Sequence, residues 1–357
     1  MKAALWHDRK DVRVEEVEEP KVKENAVKIK VKWCGICGSD LHEYLGGPIF
    51  IPVGTPHPLS KSTAPVVLGH EFSGEIVEVG SKVTKFKTGD RVVVEPIVAC
   101  GECPACREGK YNLCEALGFH GLCGSGGGFA EYTVFPENFI HKIPDTMDYE
   151  QAALVEPMAV ALHSLRVGNF TTGNTALVLG AGPIGLATIQ CLKAAGARIV
   201  IVFQRKSVRQ EYAKKFGADV VLDPSEVDVI EEIKKLTGGI GVDTAFETTG
   251  ANVGLNTAIQ ALKYEGTAVI TSIWEKNAEI NPNDLVFTEK KIVGTIAYRH
   301  EFPSTIALMN DGRINTDGYI TKRISLEDIV KEGFETLTGP EKKKQVKILV
   351  TPDKSLL

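Results

Sequence analysis

The sequence predicts an α/β chain with two domains, an irregular β-rich domain followed by a doubly wound parallel sheet. Residues 1–155 contain short strands separated by glycine and proline, which is typical of an irregular β domain. Residues 156–295 alternate apolar strands with helices, which is typical of a parallel sheet with right-handed crossovers. The length of 357 residues also exceeds what one hydrophobic core usually supports.

The N-terminal strands are short apolar or alternating runs bounded by turn residues. They are predicted at Ala26 to Lys32, Glu75 to Val79, Arg91 to Glu95 and Glu131 to Phe135. The glycine-rich run Gly124–Gly128 is interpreted as a turn into the last of these strands rather than as a phosphate-binding loop.

Four cysteines lie close together at spacings of two, two and seven residues: Cys100, Cys103, Cys106 and Cys114. One loop with this spacing can fold around a single ion, and four thiolates suit a closed, structural zinc site. The alternative is a pair of disulfides in a secreted scaffold. A long chain with few other cysteines favours metal over a disulfide framework.

A second, incomplete ligand set lies upstream of that lobe. It begins in the run from Cys34 to His42, which contains Cys37, and continues in Gly69-His70-Glu71. One thiolate, one imidazole and one carboxylate form the mixture from which catalytic zinc sites with an open position are built. A lone buried cysteine or histidine would more often be structural, so the pattern matters more than any single member.

The second half of the chain begins with a dinucleotide fingerprint. The apolar strand Thr175–Leu179 leads into a glycine turn and then into a helix from Leu186 to Ala195. The turn itself is Gly180, Ala181, Gly182, Pro183, Ile184 and Gly185. Strand, glycine turn and helix in this order predict a pyrophosphate site at the helix N-terminus. Further strands are predicted at Ala218 to Leu222, Val242 to Thr249, Thr267 to Thr271 and Lys291 to Thr295.

The coenzyme prediction depends on the end of the next strand, Arg198–Phe203. An NAD-specific protein normally has an acidic residue there, but this chain continues with Gln204, Arg205 and Lys206. No acidic residue occurs from Leu186 to Gln210. The positive side chains favour a ribose that carries a 2′-phosphate, hence NADP over NAD, although Gln204 could hydrogen-bond an unphosphorylated ribose.

These motifs resemble the zinc-containing medium-chain dehydrogenase/reductase superfamily, whose signature is the Gly69-His70-Glu71 pattern continued by Gly74, Gly80 and Val83. Within it the chain looks most like the polyol branch, and closest to (R,R)-butanediol dehydrogenases, also called acetoin reductases. Glu156-Pro157 and the long segment from Glu43 to Pro65 carry that narrower resemblance. The resemblance implies a GroES-like catalytic domain over residues 1–155, with its zinc lobe at 95–115. It also implies a Rossmann domain over 156–295 and a return to the catalytic domain over 296–357.

The resemblance also implies roles for the site residues. Cys37, His70 and Glu156 would hold the catalytic zinc, with Glu71 as an alternate ligand. Asp40 would accept the second ring proton of the zinc-bound histidine. The Ser39 hydroxyl would touch the substrate oxygen, and His42 would pass the proton to water.

The function implied by the resemblance is interconversion of a small vicinal diol with its hydroxyketone, as in 2,3-butanediol and acetoin, by hydride transfer with NAD(P). A sorbitol- or threonine-type dehydrogenase is the alternative within the same superfamily, and a non-catalytic cofactor-binding module is the alternative from another class. The resemblance further suggests a homodimer or homotetramer.

Composition excludes several other classes of partner. A hydrophobic content of 43% is that of an ordinary globular protein, and a net charge of -5 gives no sign of a nucleic-acid or anionic-membrane partner. The first ten residues include charged side chains and no apolar signal-peptide core is present, so no secretory signal is visible and a cytoplasmic location is expected.

Overall fold

The computed structural model describes all 357 residues, which divide into two compact units. The first unit comprises Met1–Glu156, Phe302–Ile306 and Thr316–Leu357, and the second comprises Pro157–Glu301 and Ala307–Asn315. The second unit therefore ends at Glu301 and takes back one short segment, whereas the sequence analysis placed a single return at residue 296.

The first unit is built on a seven-stranded sheet with the order β10-β6-β5-β3-β18-β17, to which β9 adds beside β3. A three-stranded sheet, β2-β1-β4, and the pair β7-β8 complete it. The strands are β1 Lys2–Asp8, β2 Asp11–Glu16, β3 Ala26–Gly35, β4 Val66–Val67, β5 Glu71–Val79, β6 Arg91–Val94, β7 Ile97–Val98, β8 Gly118–Phe119, β9 Tyr132–Pro136 and β10 Ile140–Lys142, followed near the C-terminus by β17 Ile320–Ser325 and β18 Lys347–Thr351.

Strand β3 is the centre of this sheet because its two-residue period buries one face. Val27, Ile29 and Val31 are fully buried, and they alternate with lysines along the strand. Its antiparallel pairing with β5 places Gly35 opposite Glu71. Strand β3, which leads into Cys37, therefore lies beside strand β5, which begins at Glu71.

The helices of the first unit are short, and they lie where turn residues interrupt the strands. They are α1 Gly38–Gly46, α2 Pro104–Arg107, α3 Tyr149–Ala153 and α11 Glu335–Thr338. Two longer helices pass from one unit to the other along the chain, namely α4 Val155–Val167 and α10 Phe302–Asn310.

The second unit is a six-stranded parallel sheet with the order β13-β12-β11-β14-β15-β16. The strands are β11 Thr175–Leu179, β12 Ile199–Phe203, β13 Val220–Leu222, β14 Val242–Glu247, β15 Leu262–Ile270 and β16 Lys291–Gly294. The strand order reverses between β11 and β14, so the crevice at their carboxyl ends is the place where such sheets bind ligands. The predicted fold class is confirmed.

The strands of this sheet are buried on both faces because helices cover it. Every residue of β11 is buried, as expected of a central parallel strand. The helices are α5 Pro183–Ala194, α6 Val208–Lys215, α7 Val229–Leu236, α8 Asn252–Ala261 and α9 Asn283–Val286. None of the helices in the chain combines the length and the apolar character that crossing a membrane would require.

Candidate active site and metal clusters

Helix α1 presents the first group of site residues. Cys37 caps its N-terminus, and the Cys37 backbone N–H donates to Asp40 Oδ2 at 2.9 Å. The start of α1 therefore fixes the position of this thiol.

The structure brings Cys37, His70 and Glu71 together, with one ligand atom of each lying within 4.8 Å of the others. The Ser39 hydroxyl oxygen lies 3.2 Å from Cys37 Sγ and 3.2 Å from His70 Nε2. Thiolate, imidazole and carboxylate are the donor set of a catalytic zinc site, so these residues fit that ion. Ser39 lies where it can touch a group bound beside them.

Asp40 backs the histidine from the opposite side. Its Oδ1 lies 3.5 Å from His70 Nδ1, and both side chains are buried. Burial by itself would lower the pKa of His70, but the Asp40 carboxylate and the Cys37 thiolate outweigh it and raise that pKa well above its usual value. Such a partner orients the ring and leaves Nε2 directed at the cluster.

Glu71 forms a buried ion pair that the sequence analysis missed. Lys347 Nζ donates to both Glu71 carboxylate oxygens, at 2.7 and 2.6 Å, and to the Ile36 carbonyl at 3.1 Å. Burial would lower the pKa of Lys347, but the Glu71 charge outweighs burial and raises it. A Cβ at Gly35 would lie 2.1 Å from a Glu71 oxygen, so glycine makes room for the pair. The available signal was a lysine directly before the apolar run Ile348–Val350.

Two other predicted residues are not among the three that converge. Glu156 is 5% exposed, near the start of α4, and is not one of the three residues that converge. Its charge nevertheless contributes to the raised pKa of Lys347, which places it in the electrostatic surroundings of the Glu71 pair. His42 is half-buried on α1.

The four cysteines of the predicted lobe also converge, within 4.8 Å of one another. Cys100 Sγ lies 3.5 Å from Cys114 Sγ and 3.9 Å from Cys106 Sγ. Four thiolates at about 2.3 Å from a tetrahedral zinc ion are separated by about 3.8 Å, whereas a disulfide needs about 2.05 Å. All eight cysteines are free thiols, so the geometry fits zinc and excludes the disulfide alternative.

Backbone N–H groups surround these sulfur atoms. The N–H groups of Glu102 and Cys103 donate to Cys100 Sγ at 3.4 and 3.3 Å, and they lower the pKa of Cys100 to about 6. Burial instead raises the pKa of Cys106 to about 12. The pKa of Cys103 is also lowered and that of Cys114 is also raised, so the lobe combines thiols that ionise readily with thiols that need a cation to hold them as thiolates.

The glycine turn has the geometry of a phosphate site. Gly180 has a φ of +97°, in the left-handed region that favours glycine. A Cβ at Gly185 would lie 2.0 Å from the Gly180 carbonyl oxygen, which requires glycine there as well. Gly182 caps helix α5 with Pro183 next, and Ile184 follows in the first turn. The N–H groups at the start of α5 have no acceptor within the helix and fit a pyrophosphate.

The residues after β12 differ in accessibility. Gln204 Oε1 accepts a hydrogen bond from the Ala181 N–H at 2.8 Å, so this side chain already supports the glycine turn. Arg205 and Lys206 are exposed. The sequence analysis missed Asp223, a buried carboxylate just beyond β13, which accepts from Gln210 Nε2 at 3.4 Å. Asp223 lies close to the residues that follow β12 because parallel pairing aligns the ends of β12 and β13.

Arg209 is a second missed residue at this turn. Its Nη1 lies 3.8 Å from the position that a Cβ on Gly182 would take, and burial lowers its pKa. The only signal in the sequence was an arginine near the start of α6. This cation adds positive charge at the phosphate end of the crevice.

Comparison with known proteins follows the same division of the chain. A family model described as "Alcohol dehydrogenase GroES-like domain" matches residues 23–145, and one described as "Zinc-binding dehydrogenase" matches residues 183–311. The chain is 54% identical over 354 residues to (R,R)-butanediol dehydrogenase of Bacillus subtilis (strain 168), covering 99% of this chain and 100% of the relative. It is 45% identical over 355 residues to the enzyme of that name in Neisseria gonorrhoeae (strain ATCC 700825 / FA 1090), with 99% and 100% covered.

Solved structures agree with these relatives. The crystal structure of 2R,3R-butanediol dehydrogenase from Bacillus subtilis superposes with a TM-score of 0.93 at 54% identity, covering 99% of each chain. A zinc-binding dehydrogenase from Sinorhizobium meliloti 1021 bound to NADP gives 0.88 at 34% identity, with 98% and 99% covered. An alcohol dehydrogenase from Escherichia coli CFT073 complexed with NADH gives 0.88 at 31%, with 98% and 99% covered.

Proposed function

Because the chain belongs to the zinc-containing alcohol dehydrogenase family and is a zinc- and NAD(P)-dependent oxidoreductase, we propose that it interconverts 2,3-butanediol and acetoin. The observation that carries the proposal is the convergence of Cys37, His70 and Glu71, with the Ser39 hydroxyl 3.2 Å from Cys37 Sγ and from His70 Nε2, in a chain 54% identical to a butanediol dehydrogenase. The (R,R) configuration of that relative's diol is the isomer we expect here.

When bound, zinc supplies Lewis-acid polarisation of the reacting oxygen, and the nicotinamide ring exchanges a hydride with the reacting carbon. We propose that Cys37, His70 and Glu156 hold the ion, with Glu71 as the alternate ligand. Charge supports this division, because the Cys37 and Glu156 anions balance Zn²⁺ while Lys347 already balances Glu71. Zinc content after Glu156→Gln and after Glu71→Gln tests it, since only Glu156→Gln should lose the ion readily.

Protons move through residues of α1 in this proposal. The Ser39 hydroxyl, at 3.2 Å from both Cys37 Sγ and His70 Nε2, accepts the hydroxyl proton of a diol bound beside them and releases its own proton toward His42. The half-buried His42 then passes that proton to water. Asp40 holds the imidazole of His70 so that Nε2 stays turned toward the cluster.

For the coenzyme we propose NADP(H) in preference to NAD(H). Exposed Arg205 and Lys206 follow β12, where a carboxylate would repel a 2′-phosphate. A charge-assisted contact of about 1.5 to 3 kcal/mol corresponds to roughly a ten- to hundredfold preference. The kcat/KM ratio of NADPH to NADH is expected to exceed one in the wild type and to fall in Arg205→Ala. A wild-type ratio well below one would show that the enzyme prefers NAD(H).

A steady-state panel tests the substrate. Acetoin, diacetyl, the butanediol isomers, sorbitol, threonine and 2-propanol are each assayed with both coenzymes, and we expect the highest kcat/KM for acetoin and (R,R)-2,3-butanediol. A higher value for sorbitol or threonine would identify the alternative dehydrogenase class. Absence of turnover with every substrate would favour the non-catalytic module.

We also propose that the chain forms a homodimer or homotetramer in the cytoplasm. Large apolar side chains are exposed on the second unit, with Tyr264 at 62%, Val286 at 67% and Phe287 at 81%. Exposed apolar groups of this size often mark protein–protein contacts. Light scattering coupled to gel filtration tests the oligomer, and cell fractionation tests the location. A monomeric mass at micromolar concentration would contradict the proposal.

A further inference from the structure

Glu247, the last residue of β14, carries a buried carboxylate at the carboxyl end of the parallel sheet of the second unit. Its side chain is fully buried, and strand pairing places it beside Leu179, the residue before the glycine turn. Sheets of this kind bind their ligand outside the carboxyl ends of the strands, where the strand order reverses between β11 and β14. Glu247 therefore lies at a strand end that borders the coenzyme crevice.

The Glu247 carboxylate organises the turn that follows β14. Its Oε1 accepts hydrogen bonds from the Thr249 N–H at 2.7 Å, from the Gly250 N–H at 3.2 Å and from the Thr249 hydroxyl. Its Oε2 accepts from the hydroxyl of Ser272, two residues beyond β15. Each of these donors is a neutral group, so the buried carboxylate is satisfied by the ends of two neighbouring strands and joins them.

The turn held in this way packs on the glycine turn of the coenzyme site. The Thr248 hydroxyl donates to the Leu179 carbonyl oxygen at 2.8 Å. A Cβ on Gly180 would lie 2.8 Å from Thr249 Cγ2, and a Cβ on Gly185 would lie 3.1 Å from Thr248 Oγ1. The two threonines therefore contact both ends of the glycine turn, whose helix N-terminus fits the pyrophosphate.

A carboxylate at the opposite end of the same strand provides a matched comparison. Asp243 accepts hydrogen bonds from the Thr175 N–H and the Thr175 hydroxyl, both at 2.7 Å, and it pairs with Lys263. It therefore also ties β14 to β11, but it lies four residues before Glu247, about 13 Å away along the strand. The two side chains separate a contribution to the sheet from a contribution to the coenzyme site.

We propose that Glu247 is a positioning residue for the coenzyme, which holds the turn of residues 248–250 against the glycine turn so that the pyrophosphate site is already formed in the free enzyme. The inference rests on the proposed dehydrogenase function for its ligand, but it depends neither on the substrate nor on the preference between NADP(H) and NAD(H). A site that is formed in only a fraction of the molecules binds more weakly by that fraction. The hydrogen bonds of Glu247 prevent this loss of affinity.

The experiment measures the dissociation constants of NADPH and NADH by nicotinamide fluorescence, with no substrate present. Glu247→Ala removes both acceptor oxygens. Glu247→Gln keeps one oxygen for Thr249 and Gly250, and its amide can donate to the Ser272 hydroxyl. Thr249→Val removes one donor and keeps a methyl group beside Gly180.

We expect Glu247→Ala to raise both dissociation constants by roughly tenfold or more, and Thr249→Val to raise them by roughly threefold. Glu247→Gln should stay close to the wild type, because most of the hydrogen bonds remain. Asp243→Asn is the control. It should lower the melting temperature measured without coenzyme and leave both dissociation constants unchanged.

Wild-type affinity in Thr249→Val, and in Glu247→Ala where that variant folds, would overturn the inference. A loss in Glu247→Gln as large as in Glu247→Ala would also overturn it, since the hydrogen bonds would then not decide affinity. An equal loss in Asp243→Asn would assign the effect to sheet stability and overturn it as well. A wild type that binds neither coenzyme would contradict the proposed function together with this inference, so the two failures are distinguishable.

Discussion

The two metal clusters of this chain are built in opposite ways. The cysteines of the lobe come from fifteen consecutive residues, and backbone N–H groups of the same loop surround their sulfurs. Cys37, His70 and Glu71 come from two separate segments, and Lys347, 276 residues from Glu71, completes their surroundings. A local cluster needs only its own loop, whereas the distributed cluster exists only when the whole sheet of the first unit is formed.

We predict that the distributed cluster of Cys37, His70 and Glu71 carries the chemistry, in contrast to the cysteine lobe. Replacing Cys37 by alanine should lower kcat by about 10³-fold or more, because Lewis-acid stabilisation of several kcal/mol is lost with the ion. The melting temperature should change little, and zinc content should fall by one ion per chain. Cys191→Ala, at a buried thiol in neither cluster, is the control. Near-normal kcat in Cys37→Ala would show that the assignment of the site is wrong.

The lobe is expected to act on stability instead. Cys103→Ala removes one of four ligands, and loss of a structural metal belongs to the mutations that cost more than about 4 kcal/mol. Urea unfolding and metal analysis should show a less stable protein that has lost one zinc ion. Cys123→Ala provides a matched control at a buried cysteine outside the lobe. Unchanged stability together with retention of two ions would remove the contrast between the clusters.

The buried ion pair tests how the distributed cluster is supported. Lys347→Met leaves the Glu71 carboxylate buried without its cation, which typically costs about 3 to 5 kcal/mol. Glu71→Gln in the same chain should recover much of that loss, since no charge is then left unpaired. Denaturant midpoints of the single and double variants measure both effects, with exposed Lys344→Met as the control. Equal stability of Lys347→Met and wild type would mean that the pair contributes nothing.

His42 tests the proton path within the distributed cluster. His42→Ala should slow alcohol oxidation by at most about 10²-fold, most strongly at lower pH where solvent base is scarce. The pH dependence of kcat for His42→Ala is compared with that of His7→Ala, which removes a histidine outside the cluster. Two superimposable profiles would assign His42 to the surface without a catalytic role.

Low pH is expected to lower the stability of the first unit beside the distributed cluster, through His120. Burial lowers the pKa of His120 to about 3, and its ring lies 6.0 Å from that of Phe72, which follows Glu71. An unfolded histidine binds a proton near pH 6.5. The contribution of neutral His120 to the free energy of unfolding is therefore fully present above about pH 6.5. It falls by about 1.4 kcal/mol per pH unit as the pH decreases toward 3. His120→Gln should flatten the stability profile between pH 6.5 and 4. A steeper profile in the variant would contradict this reading.

The sequence by itself determined the features that depend on local spacing. The fold class followed from strand and helix periodicity, and the glycine turn followed from its order after β11. Cys100 to Cys114 converge as their spacing predicted, because a short loop has few ways to place four thiols. The enzyme family followed from the same motifs and is confirmed by the full-length relatives. Roles of single residues, such as Glu156 and His42, remain predictions.

Only the tertiary structure decided which distant side chains meet. Strand register places Gly35 opposite Glu71, and β18 then brings Lys347 to the same carboxylate. The Glu43 carboxylate receives three backbone N–H donors only because the segment after α1 folds back over it. No spacing pattern in the sequence predicts which two distant charged residues will meet. A buried charge is unfavourable unless it has a partner, and the register of the sheet determines which residue that partner is.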